Sequence, residues 1–200
     1  MSRLTYEQEN ILHSTIVSTI KNHMSIKSPE TVEHSERLAI LTRKIGEELD
    51  LTPCELNELE LFATLHDIGK ISISDEILNK TGELSADEWM QMKKHAEIGY
   101  DMAMSASELK PIAGYILSHH ENWNGSGYPH GISGENIPLP SRILAIADTY
   151  DAMTQDRVYR TAVGKEMALE EIRQNTGSRF DPAVAAVFFQ VIKNAPSVFT

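Results

Sequence analysis

The stretch Thr52-Pro53-Cys54-Glu55-Leu56-Asn57-Glu58-Leu59-Glu60-Leu61-Phe62-Ala63-Thr64-Leu65-His66-Asp67-Ile68-Gly69-Lys70 sets the reading of the chain. Thr52 and Glu55 have capping-box spacing, and Pro53 suits the first helical position. Leu56, Leu59, Phe62 and Leu65 recur every third residue, the mark of one helix face. Gly69 suits the stop. His66 continues that apolar stripe and Asp67 follows it directly, so two polar side chains arrive at the end of a core-facing stripe. A polar group in such a place needs a partner.

Helical spacing extends outward in both directions. Ser28-Pro29 reads as N-cap and first residue of a helix reaching about Asp50, with Val32, Leu38, Leu41, Ile45 and Leu49 inward. Ser85 to Glu88 repeats the capping box and opens a helix carrying Trp89 and Met92. Further helices are predicted from about Leu109 to His120, from a Ser141 cap through Ile143, Leu144, Ile146 and Ala147, over 165–176 with Gly177 at the stop, and over 182–193 after Asp181-Pro182. No segment alternates as a strand should. The expected fold is an all-α bundle of about seven helices. Residues 1–27, with Leu12, Ile16 and Ile20 in helical register, read as an N-terminal helix or linker, and 28–200 as the main domain. Between Glu121 and Pro140 lies a Gly- and Pro-rich loop, and a loop of that length in a compact domain is more often functional than idle.

Bulk properties narrow the function. Two hundred residues with 41% hydrophobic content suit one domain with a sizeable core. The single cysteine, Cys54, excludes an intrachain disulfide and a thiolate metal cage. A formal charge of −11 argues against binding polymeric nucleic acid, which relies on many Lys and Arg. No signal pattern is present, and no run approaches the roughly 18 apolar residues of a membrane span. A cytoplasmic protein with no membrane association is expected.

Eight side chains then stand out in chain order: Glu30, His34, His66, Asp67, His95, His119, His120 and Asp148. Each has an ordinary explanation alone. Glu30 suits the first turn of a helix, His34 could be a hydrogen-bonded core histidine, and His95 sits among Lys93 and Lys94 as a surface residue would. Yet Glu30 and His34 are one turn apart, and His34 shares its face with Leu38, Leu41 and Ile45. His119 and His120 end an apolar helix, and Asp148 lies beside Ala147 in another. A cluster of metal ions is the simplest shared partner. Imidazole and carboxylate donors without sulfur suit iron, manganese, zinc or nickel better than magnesium.

The order of these residues resembles the HD superfamily of metal-dependent phosphohydrolases, and more narrowly the HD-GYP family of cyclic di-GMP phosphodiesterases. His66-Asp67-Ile68-Gly69-Lys70 matches the motif HDxGK. His119-His120-Glu121-Asn122-Trp123-Asn124-Gly125-Ser126-Gly127-Tyr128-Pro129 matches HHExWDGxGYP at nearly every position. The resemblance spans about residues 28–190. Asn124 departs from it in place of Asp, as do Ser74, Thr81 and Val158 in place of prolines.

The resemblance implies a compact HD-type bundle with a long GYP loop. It places His34, His66, Asp67, His95, His119, His120 and Asp148 at metal-ligand positions, with Glu30 matching the acidic ligand of members that hold three metals rather than two. It favours iron or manganese. Asp67 and Lys70 take catalytic roles, and Lys70, Arg157 and Arg160 stand where cations contact substrate phosphate, with Tyr128 bordering the site. The implied reaction is hydrolysis of cyclic di-GMP to pGpG, and on to GMP, by a metal-activated hydroxide. Two alternatives remain: a phosphodiesterase for another cyclic dinucleotide such as cyclic GMP-AMP, and a low-activity nucleotide-sensing or partner-binding domain. Diguanylate cyclase domains are the implied protein partner. The first 25 residues read as a packing helix, a homodimerising helix or a link to a regulator.

Overall fold

The computed structural model describes residues 32–155 and 162–194. Glu30, Arg157, Arg160, the Ser28-Pro29 start signal and the 1–27 segment lie outside the described residues. Among the described residues nine α-helices follow one another: α1 Val32–Glu48, α2 Pro53–Leu65, α3 Asp75–Leu78, α4 Ala86–Lys93, α5 His95–Ser105, α6 Lys110–Ser118, α7 Leu139–Thr154, α8 Lys165–Gln174 and α9 Pro182–Asn194. Two 3-10 turns, Ile68–Ser72 and Gly134–Asn136, complete the described structure. The all-α expectation holds. Among the described residues the only β feature is an isolated bridge between Thr176 and Phe180, and no helix is long and apolar enough to cross a membrane.

Both capping boxes form. Thr52 accepts from the Glu55 backbone and Ser85 from the Glu88 backbone, and each glutamate returns a bond to its cap residue. The apolar stripes meet in one core, where Leu38, Ile45, Leu59, Phe62, Leu65, Ile112, Ile116, Ile143, Ile146 and Phe188 lose all solvent contact. Each such side chain contributes about 1.5–3 kcal/mol relative to an exposed position. Helix α1 packs on α2 and α7, while α5 packs on α6 and on the 68–72 turn.

Two features go beyond the sequence reading, and two local expectations are corrected. The helix opened by Ser85 breaks at Lys94, so His95 begins a new helix. The stretch after Lys70 holds a 3-10 turn and the four-residue α3. Ser141 is not a cap: α7 begins at Leu139, where Pro138 and Pro140 already suit a helix start, and the Ser141 hydroxyl donates to the Tyr115 carbonyl at 3.0 Å. Gly69 does not stop α2, which ends at Leu65. It is needed for a close approach, since a Cβ there would lie 2.0 Å from the His95 carbonyl oxygen and 2.6 Å from the Gly99 nitrogen.

Candidate metal centre

The positions of the histidines follow from helix ends. The last carbonyls of a helix have no intrahelical donor. His66 Nδ1–H donates to the Ala63 carbonyl at 2.9 Å, at the end of α2. His95 Nδ1–H donates to the Met92 carbonyl at 2.8 Å, at the break after α4. His119 Nδ1–H donates to the Ile116 carbonyl at 2.5 Å, at the end of α6. Each ring reaches back three residues, closes its helix, and in the neutral state keeps a lone pair on Nε2. One local device thus turns three imidazoles toward the interior.

The Nε2 atoms converge. His95 Nε2 and His119 Nε2 are 3.2 Å apart, and two lone pairs at that distance repel unless a cation sits between them. The spacing suits two donors each about 2.1 Å from one ion. Asp67, His95, His119 and His120 bring donor atoms within 4.8 Å of one another, and so do His34, His66 and Asp148. Most of these residues are buried, with His95 at 1% exposure despite its lysine neighbours; His120 and Asp148 are half-buried.

Asp67 stands between the two groups. Its Oδ1 lies 3.4 Å from His95 Nε2 and 3.8 Å from His119 Nε2 in the first group. Its Oδ2 lies 3.1 Å from His66 Nε2 in the second. Oδ1 is buried and accepts no hydrogen bond among the described residues. A buried carboxylate oxygen left so is costly, and a cation would relieve it. The donor set therefore fits metal ions. Lys70 Nζ reaches Asp67 Oδ2 at 2.6 Å. Burial alone would raise the Asp67 carboxyl, but Lys70 and the facing His66 and His119 rings outweigh it and hold the group well below the carboxylate range. Burial also pushes the His95 imidazole down to about 4, against a smaller pull from Asp67. His120 is depressed well below its usual range, again mainly by burial. Both rings are thus neutral near pH 7, the form a metal ligand requires.

His34 comes from α1 and Asp148 from α7, with His34 Nε2 3.6 Å from Asp148 Oδ1. Sequence reasoning missed the group behind His34. Asp151, 5% exposed, accepts the His34 Nδ1–H at 2.6 Å. It also accepts Arg37 Nε at 2.5 Å and Arg37 Nη2 at 2.9 Å. Burial opposes ionisation of Asp151, but His34 and Arg37 prevail and lower its pKa. Spacing carried the only signal: Asp151 falls one turn after Asp148.

The GYP loop forms the rim. The Tyr128 ring stacks on His120 with centroids 4.8 Å apart. The half-exposed Trp89 meets Tyr128 edge to face at 6.2 Å, and Lys93 Nζ lies 5.7 Å from the Tyr128 ring centre. Glu121, also missed, is buried, and its Oε1 accepts the backbone N–H groups of His130 at 2.8 Å and Gly131 at 3.0 Å. That folds the loop back over His120. Gly127 is required, because a Cβ there would lie 2.4 Å from the Asn122 nitrogen. Asn124, the departure from the motif, uses its side-chain oxygen to accept the Ser126 N–H at 3.0 Å; an aspartate oxygen accepts the same bond.

Seven of the eight expected ligands thus meet in two adjoining groups, with Lys70 and Tyr128 at their edge. Comparison with known proteins agrees. A family model described as HD domain matches residues 18–184. A cyclic di-GMP phosphodiesterase of Thermotoga maritima is 38% identical over 172 residues, covering 85% of this chain and 47% of that protein. The cyclic di-GMP phosphodiesterase response regulator RpfG of Xanthomonas campestris is 42% identical, covering 74% and 39%. A 3'3'-cGAMP-specific phosphodiesterase of Vibrio cholerae is 34% identical, covering 94% and 37%. The chain spans less than half the length of these relatives. Among solved structures, a V. cholerae cyclic GMP-AMP phosphodiesterase superposes with a TM-score of 0.64 at 26% identity, covering 88% of this chain and 49% of that one. The order of ligands, the helix-end geometry and these likenesses lead to one conclusion: the chain belongs to the HD domain family, among its HD-GYP members.

Proposed function

We propose that this chain is the catalytic domain of a metal-dependent cyclic dinucleotide phosphodiesterase, with cyclic di-GMP as substrate, pGpG as product and GMP after a second cut. The observation that carries the reading is the pair of adjoining donor groups with Asp67 between them. Cyclic di-GMP phosphodiesterases among the relatives support it.

Two ions would be held by Asp67, His95, His119 and His120 and by His34, His66 and Asp148, with Glu30 recruiting a third; iron or manganese is proposed. Ions bound there supply a water of lowered pKa and positive charge for the phosphoryl oxygens. The protein supplies the rest. Nδ1–H bonds lock the ligand rings, and the bundle excludes water behind them. Lys70 sets a positive charge at the edge of Asp67, where a phosphate would approach. Arg157 and Arg160 extend that charge to further phosphate oxygens, for which a guanidinium fork is suited. Tyr128, stacked on His120, borders the substrate. Hydrolysis adds water across one P–O3′ bond: hydroxyl goes to phosphorus and the proton to the ribose oxygen.

A second substrate, 3'3'-cGAMP, is favoured by relatives of that specificity that align with nearly the whole chain. We further assign residues 28–200 to the phosphodiesterase unit and 1–27 to a linking or dimerising segment, with a cytoplasmic location and diguanylate cyclase domains as partners. The deciding experiment is anaerobic loading with Fe²⁺ or Mn²⁺, then product analysis with cyclic di-GMP and 3'3'-cGAMP side by side. Release of pGpG supports the first reading, and preferential cutting of cGAMP the second. A fully loaded protein that cleaves neither leaves the sensing role. Glu30→Ala should lower the metal content by one ion per chain, and an unchanged count on elemental analysis rejects the third ion.

A further inference from the structure

We propose that Asp151 is a positioning residue for the second donor group: it sets the ring of His34 and the tautomer that turns Nε2 toward Asp148, and Arg37 holds it in place. This rests on the reading of His34, His66 and Asp148 as a metal site.

The argument begins with where His34 sits. His66, His95 and His119 each close a helix end, where spare carbonyls wait for a donor. His34 lies well before the C-terminal end of α1 at Glu48. Spare carbonyls belong to the last turn of a helix, so the device that orients the other three rings has no counterpart at His34. A side chain must replace it, and Asp151 does so from α7 at 2.6 Å. An ionised carboxylate only accepts, so a neutral His34 carries its proton on Nδ1 and keeps its lone pair on Nε2, which faces Asp148 Oδ1 at 3.6 Å.

Asp151 itself is fixed. Arg37, one turn along α1 from His34 by its three-residue spacing, grips both Asp151 oxygens. Asp148 and Asp151 are likewise three apart on α7. Two pairs on two packed helices therefore interlock: a ligand and its support on α7, a ligand and the support's anchor on α1. A carboxylate behind an imidazole orients the ring and raises its basicity, and its loss typically weakens metal binding about 10–100-fold. In the first group His95 and His119 are anchored by backbone carbonyls, so no side-chain change removes those two supports. The second can be loosened by one substitution.

The test titrates Mn²⁺ into the chelator-stripped full chain, following free ion by electron paramagnetic resonance and heat by calorimetry. The wild type is expected to bind at both groups. Asp151→Ala should weaken one equivalent about 10–100-fold and leave the other unchanged. Arg37, partly exposed, can then turn to water. Asp151→Asn retains an oxygen that can accept the His34 proton and should recover part of the loss; it also decides the matter if the alanine variant does not fold. Wild-type-like binding by both variants overturns the positioning role. Equal weakening of both equivalents with a fall in helicity overturns it too, since that is the mark of a general structural role. Wild-type protein that takes up no Mn²⁺ sinks the metal reading and this proposal with it.

Discussion

The two donor groups differ in how they are built. Asp67, His95, His119 and His120 lie within 54 residues of one another and are brought together by the 68–72 turn and helices α5 and α6. His34, His66 and Asp148 span 115 residues and depend on α1 lying against α2 and α7. In the first group, His95 and His119 are oriented by backbone carbonyls at helix ends; in the second, His34 leans on a side chain three residues beyond another ligand. A site made from helix ends is as rigid as the helices, whereas one made across helices is as rigid as their packing.

The largest test of this contrast is the residue the groups share. Asp67→Ala should weaken metal binding at both and reduce cyclic dinucleotide turnover by more than about 10³-fold, the scale on which transition-state electrostatics are lost. Intact turnover with full metal content would break the idea of a shared ligand. Next come the separate ligands. His95→Ala should remove one metal equivalent and His34→Ala the other, as read by elemental analysis after dialysis. If either substitution empties both groups, the division between them is wrong.

Gly69→Ala sharpens the contrast from the side of packing. The new Cβ would push the 68–72 turn from α5, where the nearest atoms are backbone and cannot swing away. A loss of about 1–3 kcal/mol in unfolding free energy is expected. Metal binding should suffer more in the first group than in the second. An unchanged urea midpoint would show that the turn can shift at little cost.

The smallest expected effect is on pH dependence without metal. His95, at about 4, and His120, lower than its usual range, release protons more readily in the fold than in the unfolded chain, where histidine titrates near about 6.5. Between those values the unfolded state binds more protons, so stability rises with pH there and falls as pH drops from about 6.5 toward 4. The depressed Asp67 and Asp151 act only lower, within the carboxylate range. Urea midpoints of stripped protein at pH 7 and pH 5 check this, and bound metal should steepen the difference, because it keeps protons off the folded state alone. A midpoint that is higher at pH 5 would contradict the burial of neutral rings.

The sequence made much of the candidate site legible because its candidate ligands lie in dense motifs and on apolar stripes. It left other parts hidden for specific reasons. Asp151 belongs to no quoted motif, and its partners, His34 and Arg37, are 117 and 114 residues away. Glu121 stood inside the long motif, but its task is to hold backbone nine and ten residues on, which spacing does not reveal. The break at Lys94 has no Gly or Pro to announce it. Gly69 looked like a helix stop because both roles use the absence of a Cβ, and only the approach of α5 distinguishes them.

By itself the sequence determined the helical class and both capping boxes and singled out the candidate donors, because periodicity, capping and residue chemistry act locally along the chain. Only the tertiary structure decided that the donors form two groups, that Asp67 stands between them, and that His34 needs Asp151. Those outcomes depend on which helix ends and faces meet, and that is settled by packing across the whole core.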